Sequence, residues 1–374
     1  MIPFGKPYLP LRSLYFLFRS AMSGTISGNG RYTKLSQRWF EKRFGFGKAL
    51  LTSSCTDALE MAALLCELEP GDEVIMPSYT FMSTANAFLL RNVKVVFADT
   101  LEETPNINPA LIESLITPRT KAIVVVHYCG MACDMDRIMQ IANRYNLKVV
   151  EDAAHSVDSY YKGKPLGGIG HFGTFSFHET KNIISGEGGM LAVNDERFVK
   201  RAEIIWEKGT NRAAFYRGEV DKYTWVDIGS SFLPSDVIAS FLYTQLTRFD
   251  KIQSNRKKVW WEYYKQLQPL ESEGLLRRPV VPEFATVNGN FFYITLKSLK
   301  ERDQLRDYLK NKGIVSVFHY FPLHNSPYFR EKHDGRNLPN TQKFSDCILR
   351  LPFYYGLKTE QINFIVASIR TFFK

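Results

Sequence analysis

Between residues 48 and 193 the apolar positions fall into short continuous runs, separated by stretches whose apolar residues recur every three or four positions. The runs at 49–52, 73–76, 93–97, 122–126 and 149–152 read as strands. The intervening stretches read as helices over 57–68, 83–90, 109–116 and 135–145, with Asn108 before Pro109 as a helix start. Strands that are apolar on every residue and alternate with helices imply a parallel sheet covered on both faces. Two further strand-like runs, FGTFSF and GGMLAV, follow from residue 172 and complete that sheet.

Beyond it the rhythm changes. Helical spacing runs from 235 to 267 with a break near Asp250 and reads as a connector. A strand at 291–296, a helix at 302–312, a strand at 315–318 and a helix at about 360–371 then make a smaller α+β unit. The predicted fold class is α/β, with a large domain over residues 1–250, the N-terminal segment included, and a small C-terminal domain over 251–374. A chain of 374 residues is long enough to need two such cores.

Composition changes this picture little. An apolar content of 45% with 23% charged residues is ordinary for a soluble globular enzyme. The net charge of +10 suits a phosphate-bearing substrate as well as it suits nucleic acid or an anionic membrane surface. Its one dense basic run, Arg256 to Lys265 with Trp260, Trp261, Tyr263 and Tyr264 interleaved, has helical spacing and reads as an amphipathic helix. No nucleic-acid partner is therefore expected. The apolar patch at 14–18 is too short for a signal core or a membrane span, and no other run reaches spanning length. Five scattered cysteines argue for a reducing compartment, and the expectation is a cytoplasmic protein without a membrane partner. His127, Cys129 and Cys133 lack a second ligand pair at zinc spacing, so no metal is expected.

The chemistry concentrates between residues 151 and 189. Asp152 ends an apolar strand, where an unpaired carboxylate is costly. Lys181 arrives from a loop ahead of Gly186, Gly188 and Gly189. An acid at a strand end and a lysine beside it are what a pyridoxal 5'-phosphate enzyme requires. The lysine supplies a Schiff-base nitrogen, and the acid keeps the pyridine nitrogen protonated. The phosphate would need amides at a helix start, and Ser53–Asp57 follows a strand and opens a helix there. Cys55 and Thr56 would bind it, with Ser176 adding a hydroxyl; Phe81 would cover one ring face, and His155 would hydrogen-bond or stack beside it. Each of these residues alone has an ordinary reading as a helix cap, an ion pair or core packing. Their order on successive strand ends of one sheet is what joins them. The loop at 24–30 (GTISGNG) has the composition of a flexible substrate entrance.

The blocks EDAAHS, FSFHETK and GEGG, preceded by SSCTDALEMAALL and GDEVIMPSYTFMSTANA, resemble the DegT/DnrJ/EryC1/StrS sugar aminotransferases. The resemblance extends from IPFGKPYL through FHYFPLH to LRLPFYYGL. It implies fold type I (aspartate aminotransferase-like) architecture, pyridoxal phosphate, and a homodimer with active sites shared between subunits. By position it makes Lys181 the Schiff-base residue and Asp152 the pyridinium partner. Cys55, Thr56 and Ser176 become phosphate ligands, with Phe81 and His155 against the ring. Ser231 stands where many members carry an Asn that reaches the partner's phosphate. Asn29, Tyr320 and His324 fall at positions expected to meet substrate.

The longer shared blocks LEMAALL, PGDEVIMPSYTF, EKGTNR and VDKYTW imply a finer activity: amino transfer from L-glutamate to C4 of dTDP-4-dehydro-6-deoxy-D-glucose. The product would be dTDP-4-amino-4,6-dideoxy-D-galactose for a surface polysaccharide such as O-antigen or enterobacterial common antigen. The relative with that activity has Gln where this chain has His155. The alternatives are the gluco epimer, a 3-aminotransferase, or a non-catalytic regulator on the same fold. The intact Lys181 and Asp152 speak against the last, and Lys181 against the dehydratase branch that replaces it by His.

Overall fold

A computed structural model describes all 374 residues, Met1–Lys374. Seven strands form the main sheet: β1 (Lys48–Thr52), β2 (Glu73–Pro77), β3 (Lys94–Ala98), β4 (Thr120–Val126), β5 (Lys148–Asp152), β6 (Phe172–Ser176) and β7 (Gly189–Val193). Their spatial order is β1-β7-β6-β5-β4-β2-β3. All pairs are parallel except the two made by β7, which runs against β1 and β6. Six strand C-termini therefore open on one edge of the sheet. Both faces are covered, and period-two alternation sorts the side chains. Ala122 and Val124 of β4 join the core beneath helices Cys55–Leu65 and Met82–Leu89, whereas Ile123 and Val125 join the core beneath helix Met135–Tyr145.

The smaller C-terminal unit is built around a two-stranded antiparallel pair, β8 (Tyr293–Thr295) and β9 (Ile348–Arg350). Helices Phe249–Gln266, Leu299–Asn311 and Thr359–Phe372 pack on it through Trp260, Tyr263, Leu305, Leu309, Ile362 and Ile365. Helix Phe249–Gln266 buries Arg256, Trp260 and Tyr263 and turns Lys258 and Lys265 outward, as an amphipathic helix must. No helix is long and apolar enough to cross a membrane.

Two expectations change. Residues 109–116 form two short 3₁₀ turns, Pro109–Leu111 and Glu113–Leu115; Asn108 does cap the first by accepting from Ala110 N–H (3.0 Å), but only Pro109 and Ile112 are buried there, too narrow an apolar face to support an α-helix. The segment at 315–318 is no strand: Val317 makes a single bridge to Arg350. At the start of the chain Ile2 bridges Ile314 and packs in the core of the C-terminal unit. The α-helices Arg12–Ala21 and Arg31–Phe44 lie ahead of the first strand read from the sequence.

The end of β5 decides where the site forms. Glu151 and Asp152 are consecutive strand residues and so point to opposite faces. The Glu151 carboxylate is fully buried and accepts four hydrogen bonds: Gly167 N–H (2.7 Å), Ile169 N–H (2.7 Å), Gly170 N–H (2.6 Å) and His127 Nε2 (2.9 Å). His127 Nδ1 accepts from Cys133 N–H (3.1 Å), which assigns the ring proton to Nε2. Cys129 and Cys133 donate their thiols to the Phe291 and Val126 carbonyls. Glu151 thereby fastens the loop that leads into β6. Glu151→Ala, which leaves four buried donors facing a void, should cost about 3–5 kcal/mol in urea unfolding; Glu151→Gln, whose amide N–H₂ must face one of those donors, should also destabilise.

Candidate active site

A cavity of about 700 Å³ opens at the C-terminal edge of the sheet, between the large domain and the segment from Phe318 to Phe321. Open α/β sheets place their ligands at this edge. The cavity is lined by Cys55, Thr56, Phe81, Asp152, His155, Ser176, Lys181 and Tyr320, eight of the eleven residues selected from the sequence. Most of them come from several strand ends of the sheet. Cys55 and Thr56 follow β1, Phe81 follows β2, Asp152 ends β5, and Ser176 ends β6.

At one end the helix Cys55–Leu65 points its N-terminus into the cavity, with Ser54 as N-cap accepting from Asp57 N–H (3.0 Å). The Cys55 and Thr56 amides are therefore left without helical acceptors, and the Thr56 hydroxyl reaches Ser83 Oγ (2.8 Å). Gly189 opens β7 against this turn: a Cβ there would collide with the Ser54 carbonyl and the Cys55 nitrogen. Free amides, a helix dipole and hydroxyls converging on one spot suit a phosphate monoester.

Asp152 lies at the cavity floor. Thr84 donates its hydroxyl to Oδ2 (2.7 Å) and Ala154 N–H donates to Oδ1 (3.1 Å), while Thr84 is itself paired with Thr80 (2.8 Å). Burial raises the Asp152 pKa despite these hydrogen bonds and the nearby Lys181 charge. A carboxylate so placed gains from a cationic N–H partner.

Lys181 Nζ has no hydrogen-bond or ion-pair partner, although its backbone N–H is tied to the His178 carbonyl (2.9 Å). Burial, helped by the Arg350 charge and opposed by Cys55 and Asp152, pulls its pKa down to about 8. His155 is buried, and burial together with the Lys181 and Arg350 charges drives its pKa well below the usual histidine range, so it is a neutral imidazole. The Tyr320 and His319 rings lie with centroids 3.5 Å apart and planes tilted by 31°, and His319 Nδ1 pairs with the Tyr128 hydroxyl (2.9 Å). Half-exposed Phe81 lies at the mouth, 6.2 Å from Tyr320.

Three selected residues stand apart. His324 is buried outside the cavity: its ring Nδ1 pairs with Ser78 Oγ (2.8 Å) and its N–H donates to the same oxygen (3.0 Å), which joins the end of β2 to the C-terminal unit. Asn29 lines a different cleft, and Ser231 is exposed beside Glu207, away from the cavity of this chain. Conversely, sequence reading missed Thr84, Asn290, His319 and Arg350, all of which line the cavity. Thr84 could have been found, since it sits one helical turn after Phe81 and faces the same way.

The protein-family model of the DegT/DnrJ/EryC1/StrS aminotransferases matches residues 17–370. Among solved structures, the aminotransferase TlmJ from Streptoalloteichus hindustanus is 28% identical with a TM-score of 0.90, over 100% of this chain and 99% of that one. DesV from S. venezuelae is 28% identical with a TM-score of 0.89, over 99% and 98%. A Streptococcus pneumoniae protein described as a sugar aminotransferase, in its PLP form, is 26% identical with a TM-score of 0.90, over 99% and 98%. With the fold type I architecture, the lysine–carboxylate cavity and a family match over nearly its whole length, this chain belongs to the DegT/DnrJ/EryC1/StrS aminotransferase family.

Proposed function

We propose that the chain transfers the amino group of L-glutamate to C4 of dTDP-4-dehydro-6-deoxy-D-glucose, giving dTDP-4-amino-4,6-dideoxy-D-galactose for a surface polysaccharide. The observation that carries this reading is the unpartnered amine of Lys181 facing buried Asp152 across one cavity, with free helix amides at Cys55 and Thr56. Those residues fit pyridoxal phosphate. Asp152 would hold the ring N–H, Cys55, Thr56 and Ser176 the phosphate, and Phe81 and His155 the ring. Bound there, the cofactor supplies an electron sink for the carbanion formed beside the transferred nitrogen.

The residues then divide the work. Lys181 takes the proton from the α-carbon of the amino donor and, in the second half of the cycle, delivers one to the sugar carbon that accepts nitrogen. A pKa near 8 suits a group that must act as base and then as acid near neutral pH. Neutral His155 adds no positive charge beside Lys181 and so leaves the amine free to cycle. The stereochemistry at C4 follows from the side on which Lys181 stands. The sugar choice rests on the long sequence blocks EKGTNR and VDKYTW, which go beyond what the shared chemistry requires.

A second copy of the chain is part of this reading. The segment from Arg212 to Ser231 carries Tyr216, Trp225 (78% exposed), Val226 and Ile228 on the surface, a set of apolar residues that a monomer leaves in water. Ser231 and Asn29, remote from the cavity of their own chain, would then serve the neighbouring subunit.

Lys181→Ala should lose the visible absorbance band of the yellow wild type and lower turnover by roughly 10²–10⁴-fold or more. The rate at which apoenzyme captures the cofactor aldehyde should rise with pH and level off near pH 8, because the Lys181 amine, at about 8, is deprotonated above it; a lysine at the ordinary value would keep gaining to about pH 10. NMR coupling constants of the product from dTDP-4-dehydro-6-deoxy-D-glucose and L-glutamate should report nitrogen at C4 in the galacto configuration. Nitrogen at C3, or the gluco epimer, would replace this assignment by one of its rivals. Sedimentation should give a dimer, shifted toward monomer in Trp225→Arg.

A further inference from the structure

The first forty residues hold six cations, Lys6, Arg12, Arg19, Arg31, Lys34 and Arg38, and no acid; the first carboxylate of the chain is Glu41. That segment supplies more than half of the net charge of +10. All six side chains are exposed. The salt bridges of the chain begin only at Arg43, which meets Asp250 at 2.7 Å. The N-terminal segment is therefore a surface of one sign, without the acid partners that Arg197 and Lys162 have elsewhere.

The helix Arg12–Ala21 within it presents the wrong face to water. It turns Ser13 and Ser20 inward, and Phe16 packs edge-on against Tyr32 and Tyr243 (5.8 and 5.6 Å). Leu11, Leu14, Tyr15, Phe18 and Met22 point outward, between 54% (Tyr15) and 87% (Leu11) exposed. Spacings of three and four residues put these five on one stripe, and Arg12 and Arg19, seven residues apart, run along one edge of it. Arg19 donates to the Tyr15 hydroxyl (3.0 Å), which ties the cation to the stripe. Leu9 and Ile26 extend the exposed apolar surface beyond both ends of the helix.

An apolar stripe edged by unpaired cations fits one kind of surface. A bilayer with anionic headgroups offers hydrocarbon to the stripe and phosphates to the arginines, whose long stems keep the guanidinium at headgroup level. The expectation of no membrane partner considers spanning length only, and a helix lying in the surface needs no such length. A second copy of the chain fits worse. Two-fold pairing through this stripe would repeat the cations in one contact, with no acid among the first forty residues to meet them. Nucleic acid would engage the cations and leave the stripe in water. We propose that the helix Arg12–Ala21, with Leu11 and Met22 at its ends, docks the protein on an anionic lipid surface. None of these residues lines the active-site cavity, so docking does not depend on the amino-transfer chemistry.

Co-sedimentation of the holoenzyme with vesicles tests this docking. Phosphatidylcholine vesicles with about one-third phosphatidylglycerol should carry the wild type down at low salt, and pure phosphatidylcholine should not. Leu14→Ser/Phe18→Ser should weaken partitioning by about 10-fold or more, because two large apolar side chains are withdrawn. Arg12→Gln/Arg19→Gln should weaken it by about 5-fold for each arginine. Met22→Ser, at the end of the helix, should act in the same direction and serves where the double apolar variant fails to fold. All five positions are on the surface and away from the cavity, so amino transfer, and sedimentation without vesicles, should stay at the wild-type values. Equal binding to both kinds of vesicle, or none to either, overturns the proposal. A loss confined to the arginine variant also overturns it, since that marks charge attraction without an inserted helix. A fall in the mass of the assembly in Leu14→Ser/Phe18→Ser without vesicles assigns the stripe to a second copy and overturns it as well.

Discussion

Two adjacent carboxylates at the end of one buried strand organise this molecule. Strand geometry sends Glu151 and Asp152 to opposite faces, and each meets a different solution to the cost of a buried charge. Glu151 is satisfied by the protein itself, through three loop amides and His127. Asp152 is held by one hydroxyl and one amide, and burial still raises its pKa. The first acid spends its hydrogen-bonding capacity on structure. The second retains an unmet preference for a cation, which makes it the floor of a binding site.

The cavity as a whole follows the same logic. Its inner walls bring two cationic side chains, Lys181 and Arg350, near the Asp152 carboxylate, while Glu187 is exposed beside His178 (3.7 Å), and burial drives His155 and His319 toward neutrality. A dipole at the N-terminus of helix Cys55–Leu65 adds partial positive charge at one end. The sum is an electropositive chamber in a protein interior, where an anionic ligand interacts more strongly than it would at the surface. The overall charge of +10 is a weak guide to this. What matters is that Lys181 and Arg350 reach the chamber without acid partners, whereas surface cations such as Arg197 and Lys162 are already paired with Asp195 and Asp136.

Much of this was legible in the sequence, and for a physical reason. The seven strands carry apolar residues almost without interruption because both faces are buried, so their positions stand out to within a residue or two. Residues immediately after such strands fall at one edge of the sheet, which is why Cys55, Thr56, Phe81, Asp152 and Ser176 could be gathered before any coordinates. Contributions from distant segments were harder. Arg350 sits in an apolar run, ILRLPF, and a single charge there reads as a surface residue on an edge strand; only the packing of β9 beside the large domain gives it a cavity to face. His324 shows the reverse error, because the FHYFPLH block reaches the cavity through Phe318 to Phe321 and leaves it again at Pro322. The 3₁₀ turns at Pro109–Leu111 and Glu113–Leu115 carry helix-start chemistry without an apolar face wide enough to extend it.

How Lys181 is held resolves a tension in its chemistry. A residue that must capture a cofactor, release it and then carry protons needs a fixed origin and a free end. The next residue supplies the first. Asn182 is buried, donates to Gln253 Oε1 (3.0 Å) and the Asn288 carbonyl (2.9 Å), and accepts from Asn290 Nδ2 (2.5 Å). Gln253 and Asn290 come from the connector helix and the C-terminal unit, so the backbone beside Lys181 is anchored across the boundary between the two units. Asn290 also lines the cavity beside Lys181 and Arg350. The network that fixes the stem of the lysine is thus continuous with the segment that frames the guanidinium. A displacement of the C-terminal unit would therefore be transmitted through Asn288 and Asn290 to the backbone beside Lys181.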